Sequence, residues 1–397
     1  MKTMPWALPG LLAATLTLAG CGGGGGGISG TGGTGAANSG TLRISLTDAP
    51  SCGYEQVNVT VQKVRVHQSA GAGETDAGWS EIVLPQARKI DLNSLTNGVL
   101  TELGEATLPS GRYTQLRLVL VENGGATPLA NSVVPEGGAE TALDTPSALQ
   151  SGLKLNLNID VTPSQRADLV IDFDACKSVV RRGNSGRYNL KPVLTATPRL
   201  SDAGMRVVGW VAPMLANGRT NVSVQFNGMP VKATPPDANG QFVLYPVPAG
   251  TYDLVISNAG HVTAVMTGVP VVTTAYTVLN SAAAPFAPAS AASAARTVTG
   301  TVSPSTATVR VLQTLTGGPT VEVAWAPVDA LNGSFSAALP VSAPLKAVYS
   351  ASVAPSFAAD AGAAARYTFE ARSGTATPLT RTVNVSAPVE PVVFTFP

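Results

Sequence analysis

Apolar and polar residues alternate with period two in many short stretches from residue 41 onward. Leu42, Ile44 and Leu46, for example, have polar neighbours on both sides, the pattern of a strand with one face in a core and one in solvent. Further stretches of this kind lie near residues 57–66, 116–120, 155–161 and 169–173. Many short strands with turn signals between them predict an all-β chain, with an antiparallel β-sandwich at its N-terminal end rather than βαβ units.

Three local features add detail to this pattern. The parity of the apolar positions switches between Val61 and Val64, which predicts a β-bulge near residues 62–63. Residues 91–104 permit one short helix. Asn-Ser-Gly at residues 184–186 predicts a hairpin turn that leads into a strand at about residues 187–196.

A turn motif occurs twice in the C-terminal half. Asp-Ala-Asn-Gly-Gln-Phe at residues 237–242 has the composition of a turn with glycine at a positive φ position. Asp-Ala-Leu-Asn-Gly-Ser-Phe at residues 329–335 repeats it with one inserted leucine. The repeat predicts two related, smaller β-sandwich modules of transthyretin or immunoglobulin type in tandem.

The N-terminal segment has Lys2 near its start, an apolar stretch at residues 6–18 and small residues before Cys21. The stretch is shorter than the roughly 20 residues of a membrane-spanning helix, and it is typical of a secretory signal peptide. Leu-Ala-Gly-Cys at residues 18–21 resembles a bacterial lipobox, which implies cleavage before Cys21 and acylation of that residue. An ordinary signal peptide with a coincidental cysteine is the alternative.

Residue 22 refines the expected location. Gly22 stands where an aspartate would favour inner-membrane retention, so the lipobox resemblance implies a cell-envelope protein held by its lipid, with the outer membrane of a Gram-negative bacterium favoured. The glycine-rich run that follows behaves as a flexible tether. The predicted segments are a signal peptide at 1–20, a lipidated cysteine with its tether at 21–40, a first sandwich at 41–200, a second β module at 204–280, an Ala/Pro/Ser linker at 281–295 and a third β module at 296–397.

Three cysteines occur in the chain. If Cys21 is acylated, Cys52 and Cys176 remain as a pair in an oxidising compartment, and a disulfide between them is the simplest hypothesis. Two free thiols are the alternative.

Composition and motifs argue against several function classes. The net charge is +1 and charged residues make up 12% of the chain, whereas nucleic-acid binding needs a clustered basic face. Only His67 and His261 are available as histidine bases or ligands, too few for the common zinc sites, and each is more typical of a surface or turn position than of a catalytic triad. We therefore expect no catalytic residues, no metal site, no cofactor and no enzyme activity.

The best polar cluster combines Asp48 with Asp172 and Asp174. Asp172 and Asp174 share one face of a predicted strand, and a disulfide at Cys176 would bring Asp48 near them. Three carboxylates would suit a hard cation such as Ca²⁺. Salt bridges with Lys177, Lys191 or Arg43 are the alternative explanation.

Two further hypotheses concern single residue types. A Lys–Asn isopeptide bond, which needs a carboxylic acid beside both partners in an apolar pocket, could join Lys154 or Lys191 to a strand asparagine such as Asn58. Separately, the tryptophans that follow the signal segment are distributed one per module, which favours core packing over a sugar-stacking platform. These tryptophans are Trp79, Trp210 and Trp325.

Two stretches resemble known families. Residues 41–195 are similar to a family of bacterial exported domains called domain of unknown function 4382 (DUF4382); the motifs that support this are LTDAP at 46–50, VNVTV at 57–61, LTNG at 95–98, LPSGRY at 108–113, SGLK at 151–154, DFDA at 172–175, KS at 177–178 and LKPV at 190–193. The resemblance implies an envelope β-sandwich and names no activity. Residues 204–280 resemble a carboxypeptidase regulatory-like (transthyretin-like) module through NGQF at 239–242, PAGTY at 248–252 and NAG at 258–260, which implies a non-catalytic stabiliser or spacer.

These observations predict a non-catalytic, lipid-anchored envelope protein that presents β modules to an envelope partner. The alternative is an envelope lipoprotein that binds a carbohydrate or another small molecule, with Asp48, Asp172 and Asp174 at the site. An enzyme acting through His67 is a third and less favoured possibility.

Overall fold

The computed structural model describes residues 38–49, 53–145, 151–258, 260–287 and 294–397. Within these residues the chain is nearly all β, which confirms the predicted fold class. The helical segments described are one α-helical turn, α1 (Ala175–Ser178), and 3₁₀ turns at Leu92–Leu95, Pro213–Leu215 and Ala361–Ala363.

The first module is a sandwich of two sheets. The strands of this module are β1 (Ser39–Asp48), β2 (Tyr54–His67), β3 (Ser80–Asp91), β4 (Thr101–Pro109), β5 (Gly111–Leu120), β6 (Ser132–Pro135), β7 (Thr141–Asp144), β8 (Leu153–Val161), β9 (Arg166–Phe173), β10 (Val179–Arg181), β11 (Tyr188–Leu190) and β12 (Leu194–Pro198). One sheet has the order β12-β9-β1-β4, and the other has the order β10-β11-β7-β6-β2-β5-β8 with β3 also paired to β2.

The period-two pattern explains the core of this sandwich. Leu42, Ile44 and Leu46 of β1 are fully buried, because successive side chains of a strand point to opposite faces. The register of β2 shifts between Val61 and Lys63 against both of its neighbours β3 and β5, so the predicted bulge is confirmed. The sandwich is not purely antiparallel, since β1 pairs with β9 in parallel.

One local prediction in this module was confirmed and another was wrong. The short helix allowed at residues 91–104 is the 3₁₀ turn Leu92–Leu95, which ends before β4 begins. Asn97 and Gly98 adopt φ values of 59° and 79°, which end any right-handed helix. The strand predicted at 187–196 is split into β11 and β12, because Ser178 binds the backbone between them through hydrogen bonds from the N–H groups of Lys191 (2.7 Å, to its carbonyl) and Val193 (2.8 Å, to its hydroxyl).

The second module follows after residue 204. Its strands are β13 (Val207–Trp210), β14 (Thr220–Phe226), β15 (Met229–Thr234), β16 (Gln241–Leu244), β17 (Gly250–Asn258), β18 (Ala264–Val271) and β19 (Thr277–Val278). They form the sheets β16-β13-β19 and β15-β14-β17-β18.

The third module repeats this arrangement. Its strands are β20 (Ala295–Ser303), β21 (Thr308–Thr314), β22 (Thr320–Ala326), β23 (Ser334–Pro340), β26 (Arg366–Arg372), β27 (Leu379–Asn384) and β28 (Val392–Thr395). The sheets are β23-β20-β28 and β22-β21-β26-β27, so each strand of the third module has a counterpart in the second.

The repeated turn motif has the same role in both modules. Gly240 and Gly333 have φ values of 82° and 69°, and a Cβ on either glycine would lie 2.1 Å from a carbonyl oxygen of the neighbouring strand. Only glycine tolerates both the positive φ and this close approach. The common topology therefore supports the predicted tandem repeat.

The second and third modules are joined by a shared sheet. A segment between β23 and β26, here called the β24–β25 arm, contains β24 (Leu345–Val348) and β25 (Ala358–Ala359). Strand β24 pairs in parallel with β18, so the arm extends the larger sheet of the second module to six strands. A segment that follows the predicted linker at residues 281–295 thus belongs to a sheet of the module that precedes this linker.

The tryptophans differ from expectation because none of them is a core residue. All three are partly exposed, and the three main apolar cores are built from other side chains. Trp79 lies between the guanidinium groups of Arg65 and Arg117, at 4.6 Å and 4.9 Å from the ring centroid. Trp325 lines a cavity between the modules.

Candidate functional site

Charged side chains from all three modules meet in one place, which we call the junction cluster. The chain has few charged residues, and several of them are concentrated here. Buried ions need partners of opposite charge. The cluster consists of Asp48, Asp172, Asp174 and Lys177 from the first module, Lys232 from the second, and Arg310, Glu322 and Glu370 from the third.

One ion pair joins the first and second modules. Lys232 Nζ lies 2.8 Å from Asp172 Oδ2, and the side chain of Lys232 is only 2% exposed. The same ammonium donates a hydrogen bond of 3.3 Å to the backbone carbonyl of Asp48. Strand β15 therefore places its lysine against the ends of the adjacent parallel strands β1 and β9.

A second ion pair joins the first and third modules. Lys177 Nζ lies 2.8 Å from Glu322 Oε1 and 3.8 Å from Asp174 Oδ2. It also lies 5.1 Å from the ring centroid of Trp325, within range of a cation–π interaction. Lys177 is in α1, where Asp174 caps the helix by accepting a hydrogen bond of 2.9 Å from the Lys177 N–H.

The third module connects back to the second through the same glutamate. Gln225 Nε2 donates to the backbone carbonyl of Glu322 at 2.7 Å, and the Glu322 N–H donates to Gln225 Oε1 at 2.8 Å. Arg310 lies beside them and donates 2.7 Å to the carbonyl of Gly228. Glu370 accepts from Arg310 Nε at 2.8 Å.

Burial sets the protonation of the acids in the cluster. Desolvation raises the pKa of Asp48 well above its ordinary value, although its Oδ1 accepts a hydrogen bond from the Ala175 N–H. Desolvation also raises the pKa of Asp174 to about 6, against the opposing effect of Lys177. Burial alone would lower the pKa of Lys177, but the carboxylates of Glu322 and Asp174 raise it. The lysine is therefore an ammonium at neutral pH.

A cavity of about 270 Å³ opens where the modules meet. Its wall combines charged groups such as Asp172, Asp174 and Lys232 with apolar ones such as Met229 and Trp325. Asp172 Oδ1 is buried and has no hydrogen-bond partner among the described residues.

The structure brings the three predicted aspartates together, and two of them form salt bridges, the alternative that the sequence left open. Lys177 pairs with Asp174, as suggested, and Lys232, a partner that was not foreseen, pairs with Asp172. No group of three His, Cys, Asp or Glu side chains within the described residues is arranged to hold a metal ion. The suggested partners Lys191 and Arg43 bind elsewhere. Lys191 Nζ donates 2.6 Å to the carbonyl of Ala307, and Arg43 pairs with Asp168.

Sequence reasoning missed the partners from the second and third modules. Lys232, Arg310 and Glu322 are all buried, and each interrupts an otherwise apolar or uncharged strand. An unexpected charge in a strand of a charge-poor chain was the available signal.

Additional contacts fix the modules against one another. Asn97 at the end of the first 3₁₀ turn donates its N–H to Thr234 Oγ1 at 2.7 Å and accepts from the Val243 N–H at 2.5 Å. The Gly183 N–H donates 2.7 Å to Asp329 in the repeated turn motif of the third module. Each of the second and third modules therefore contacts the first at a site outside the junction cluster.

The cysteine predictions fall partly outside the described residues. Cys21 and Cys52 are among the residues that the structure does not describe. Cys176 lies in α1 and is a disulfide-bonded cysteine. Pairing of Cys176 with Cys52, and acylation of Cys21, remain predictions.

The histidines and the proposed isopeptide residues have other partners. His67 Nε2 lies 3.0 Å from the carbonyl of Ala77, and its Nδ1 accepts from the Ser69 N–H. Lys154 Nζ donates to a loop carbonyl, and Asn58 binds Ser132. The structure does not bring Asn58 to either suggested lysine.

Comparison with protein families assigns the first module. Residues 39–192 match the family model described as "Domain of unknown function (DUF4382)", which confirms the resemblance and nearly the predicted bounds. The resemblance of residues 204–280 to a carboxypeptidase regulatory-like module stays a prediction. A search of curated proteins found no match.

Comparison with solved structures found low-scoring similarities. Two interface mutants of a type II cohesin–X-dockerin complex from Acetivibrio cellulolyticus match at 26% and 27% identity, with TM-scores of 0.19 and 0.18. Each match covers 21% of this chain and 56% of the other. A streptococcal ancillary pilin matches at 10% identity over 90% of this chain and 98% of its own, with a TM-score of 0.13. These scores are too low to support a functional argument.

Proposed function

We propose that the protein is a non-catalytic, lipid-anchored envelope protein that presents its three β modules as one rigid unit for protein interaction. The junction cluster is the observation that supports this proposal. Lys232 and Lys177 satisfy carboxylates of other modules through buried ion pairs, and the separated modules would leave these charges unpaired. Rigid presentation lowers the entropy that is lost when a partner binds.

The anchor in this proposal rests on the sequence. The lipobox-like segment ending at Cys21 would hold the chain to the membrane, and the glycine-rich tether would separate the modules from the headgroups. Gly22 favours the outer membrane. Within the described residues, no helix is both long and apolar enough to cross a bilayer.

Metabolic labelling with palmitate tests the anchor. We expect the full chain to be labelled and to fractionate with membranes, whereas Cys21→Ser should be unlabelled and released. Cys52→Ser is the matched control, because it also removes one thiol but should keep the label. An unlabelled wild-type chain would rule the anchor out.

Crosslinking in intact cells tests the interaction role. We expect the membrane-held chain to be recovered with an envelope protein, and recovery to fall when the junction is broken by Glu322→Gln. Recovery of the chain alone would contradict the role in presentation.

A ligand-binding envelope lipoprotein is the second candidate, favoured by the cavity and by the unpartnered Asp172 Oδ1. Binding of calcium or of neutral monosaccharides to the full chain, lost when Asp172 and Asp174 are both changed to alanine, would support it. Absence of binding to every probe would remove this candidate.

A further inference from the structure

We propose that Lys232 and Asp172 condense into an isopeptide bond that covalently joins the second module to the first. The bond would replace one of the ion pairs on which the proposed rigid unit rests, and its test, a peptide digest, is read separately from the labelling and crosslinking experiments. It also differs from the Lys–Asn bonds suggested by the sequence, since its acceptor is an aspartate on β9 and its lysine is on β15.

The reacting atoms are already close. Lys232 Nζ lies 2.8 Å from Asp172 Oδ2, and the two side chains are 2% and 13% exposed. The second carboxylate oxygen, Asp172 Oδ1, is buried and has no hydrogen-bond partner among the described residues. A lysine amine is a competent nucleophile once it has given up its proton.

A third group stands beside this pair in the role of an acid. The backbone carbonyl of Asp48 accepts a hydrogen bond from Lys232 Nζ at 3.3 Å. The Asp48 side chain is fully buried, and its Oδ2 has no hydrogen-bond partner among the described residues. Burial raises the pKa of Asp48 well above its ordinary value, which favours the protonated form that donates hydrogen bonds. A protonated carboxyl near an acyl carbon can stabilise the oxygen that becomes negative during attack.

The step is balanced without any co-reactant. Proton transfer within the pair converts the ammonium and the carboxylate into a neutral amine and a carboxylic acid. The Nζ atom attacks Cγ of Asp172, and we expect the Asp48 carboxyl to approach the carbonyl oxygen during this step, to lend its proton and to take it back afterwards. The Cγ–O bond to the hydroxyl breaks, the hydroxyl leaves with a proton from the nitrogen, and the products are one amide and one water. Low exposure of the pair limits the reverse reaction, which requires water.

The neighbouring ion pair, between Lys177 and Glu322, is a less suitable site for such a bond. Glu322 also approaches Arg310 at 3.4 Å, so its carboxylate is shared between two cationic side chains. Lys177 remains charged because Glu322 and Asp174 raise its pKa. We therefore assign the bond to Lys232 and Asp172 and to no other pair in the junction cluster.

Peptide mapping of the purified full chain by tandem mass spectrometry tests the assignment. After reduction, alkylation and trypsin digestion, we expect the peptide of residues 167–177 to be joined to that of residues 220–296, with a mass lower by one water than their sum. Trypsin should fail to cleave after Lys232, and fragment ions that separate Asp172 from Asp174 across Phe173 should place the bond on Asp172.

Variants separate the bond from its surroundings. Lys232→Arg keeps the positive charge and should abolish the joined peptide, and Asp48→Asn should reduce its yield at least several-fold. Lys191→Arg is the control. It removes the amine of a second lysine that contacts another module, and it should leave the bond intact. Cleavage after Lys232 in the wild-type chain, with the two peptides recovered separately, would overturn the proposal, as would a bond at Asp174 or Glu322. The wild-type digest decides the question even if a variant fails to fold.

Discussion

Glu322 of the third module is the ion-pair partner of Lys177 in the first module, since its carboxylate lies 2.8 Å from Lys177 Nζ. Replacing Glu322 with glutamine leaves a buried ammonium without this partner. Breaking a buried pair in this way costs about 3–5 kcal/mol, so we expect Glu322→Gln to lower the free energy of unfolding by about 3 kcal/mol. Denaturant unfolding at neutral pH measures the change.

An exposed pair supplies the matched control. Arg112 and Asp160 lie 3.0 Å apart, but their side chains are 60% and 63% exposed, and solvent-exposed pairs of this kind contribute little to stability. Arg112→Gln should therefore change the free energy of unfolding far less than Glu322→Gln. Equal effects of the two variants would contradict the assignment of Lys177–Glu322 as a buried inter-module pair.

At the scale of single residues, the sequence predicted the acids of the site and Lys177 as one candidate partner, but not the partners from the other modules. Asp48, Asp172 and Asp174 could be grouped because Asp172 and Asp174 share a strand face and a disulfide at Cys176 was expected to bring Asp48 near. Lys232 could not be placed with them, because its position depends on how two modules dock, and no local period encodes docking.

Asp174 gives the short helix α1 its N-cap, and its titration should make the stability of the protein depend on pH. Burial raises its pKa to about 6 in the folded chain, whereas an unfolded aspartate titrates near about 3.9. The folded state therefore binds the extra proton between these values, and stability is lost as pH rises through them.

Asp174→Asn tests this dependence, because asparagine keeps the cap and does not titrate. The stability of the variant relative to wild type should rise by about 2 kcal/mol between about pH 4 and about pH 7. Asp160→Asn is the control of opposite sign: Arg112 lowers the pKa of Asp160, so this variant should gain nothing over the same range. Parallel stability curves for Asp174→Asn and wild type would contradict the buried environment of Asp174.

At the scale of elements, local chemistry made some predictions succeed and tertiary contacts made others fail. The turn at 237–242 and its repeat at 329–335 could be recognised because glycine is required where φ is positive, at Gly240 and Gly333. The helix allowed at 91–104 is limited to the 3₁₀ turn Leu92–Leu95, because the chain there turns at Asn97, which binds the second module. The β24–β25 arm could not be foreseen, since a parallel strand added from another module leaves no local pattern.

At the scale of the whole molecule, the three modules should behave as one cooperative unit. Strand β24, which lies between two strands of the third module in the chain, belongs to the larger sheet of the second module. The junction cluster connects the second and third modules to the first module. The apolar side chains of Val255, Val265 and Val321 form a further small core between the second and third modules. Independent unfolding of any module would expose these groups and leave buried charges unpaired.

Differential scanning calorimetry of the full chain tests this rigid unit most directly. We expect a single unfolding transition whose calorimetric and van't Hoff enthalpies agree, the criterion for all-or-none unfolding. Two or more resolved transitions in the wild-type chain, each with its own enthalpy, would show that the modules fold independently and would contradict the rigid three-module unit.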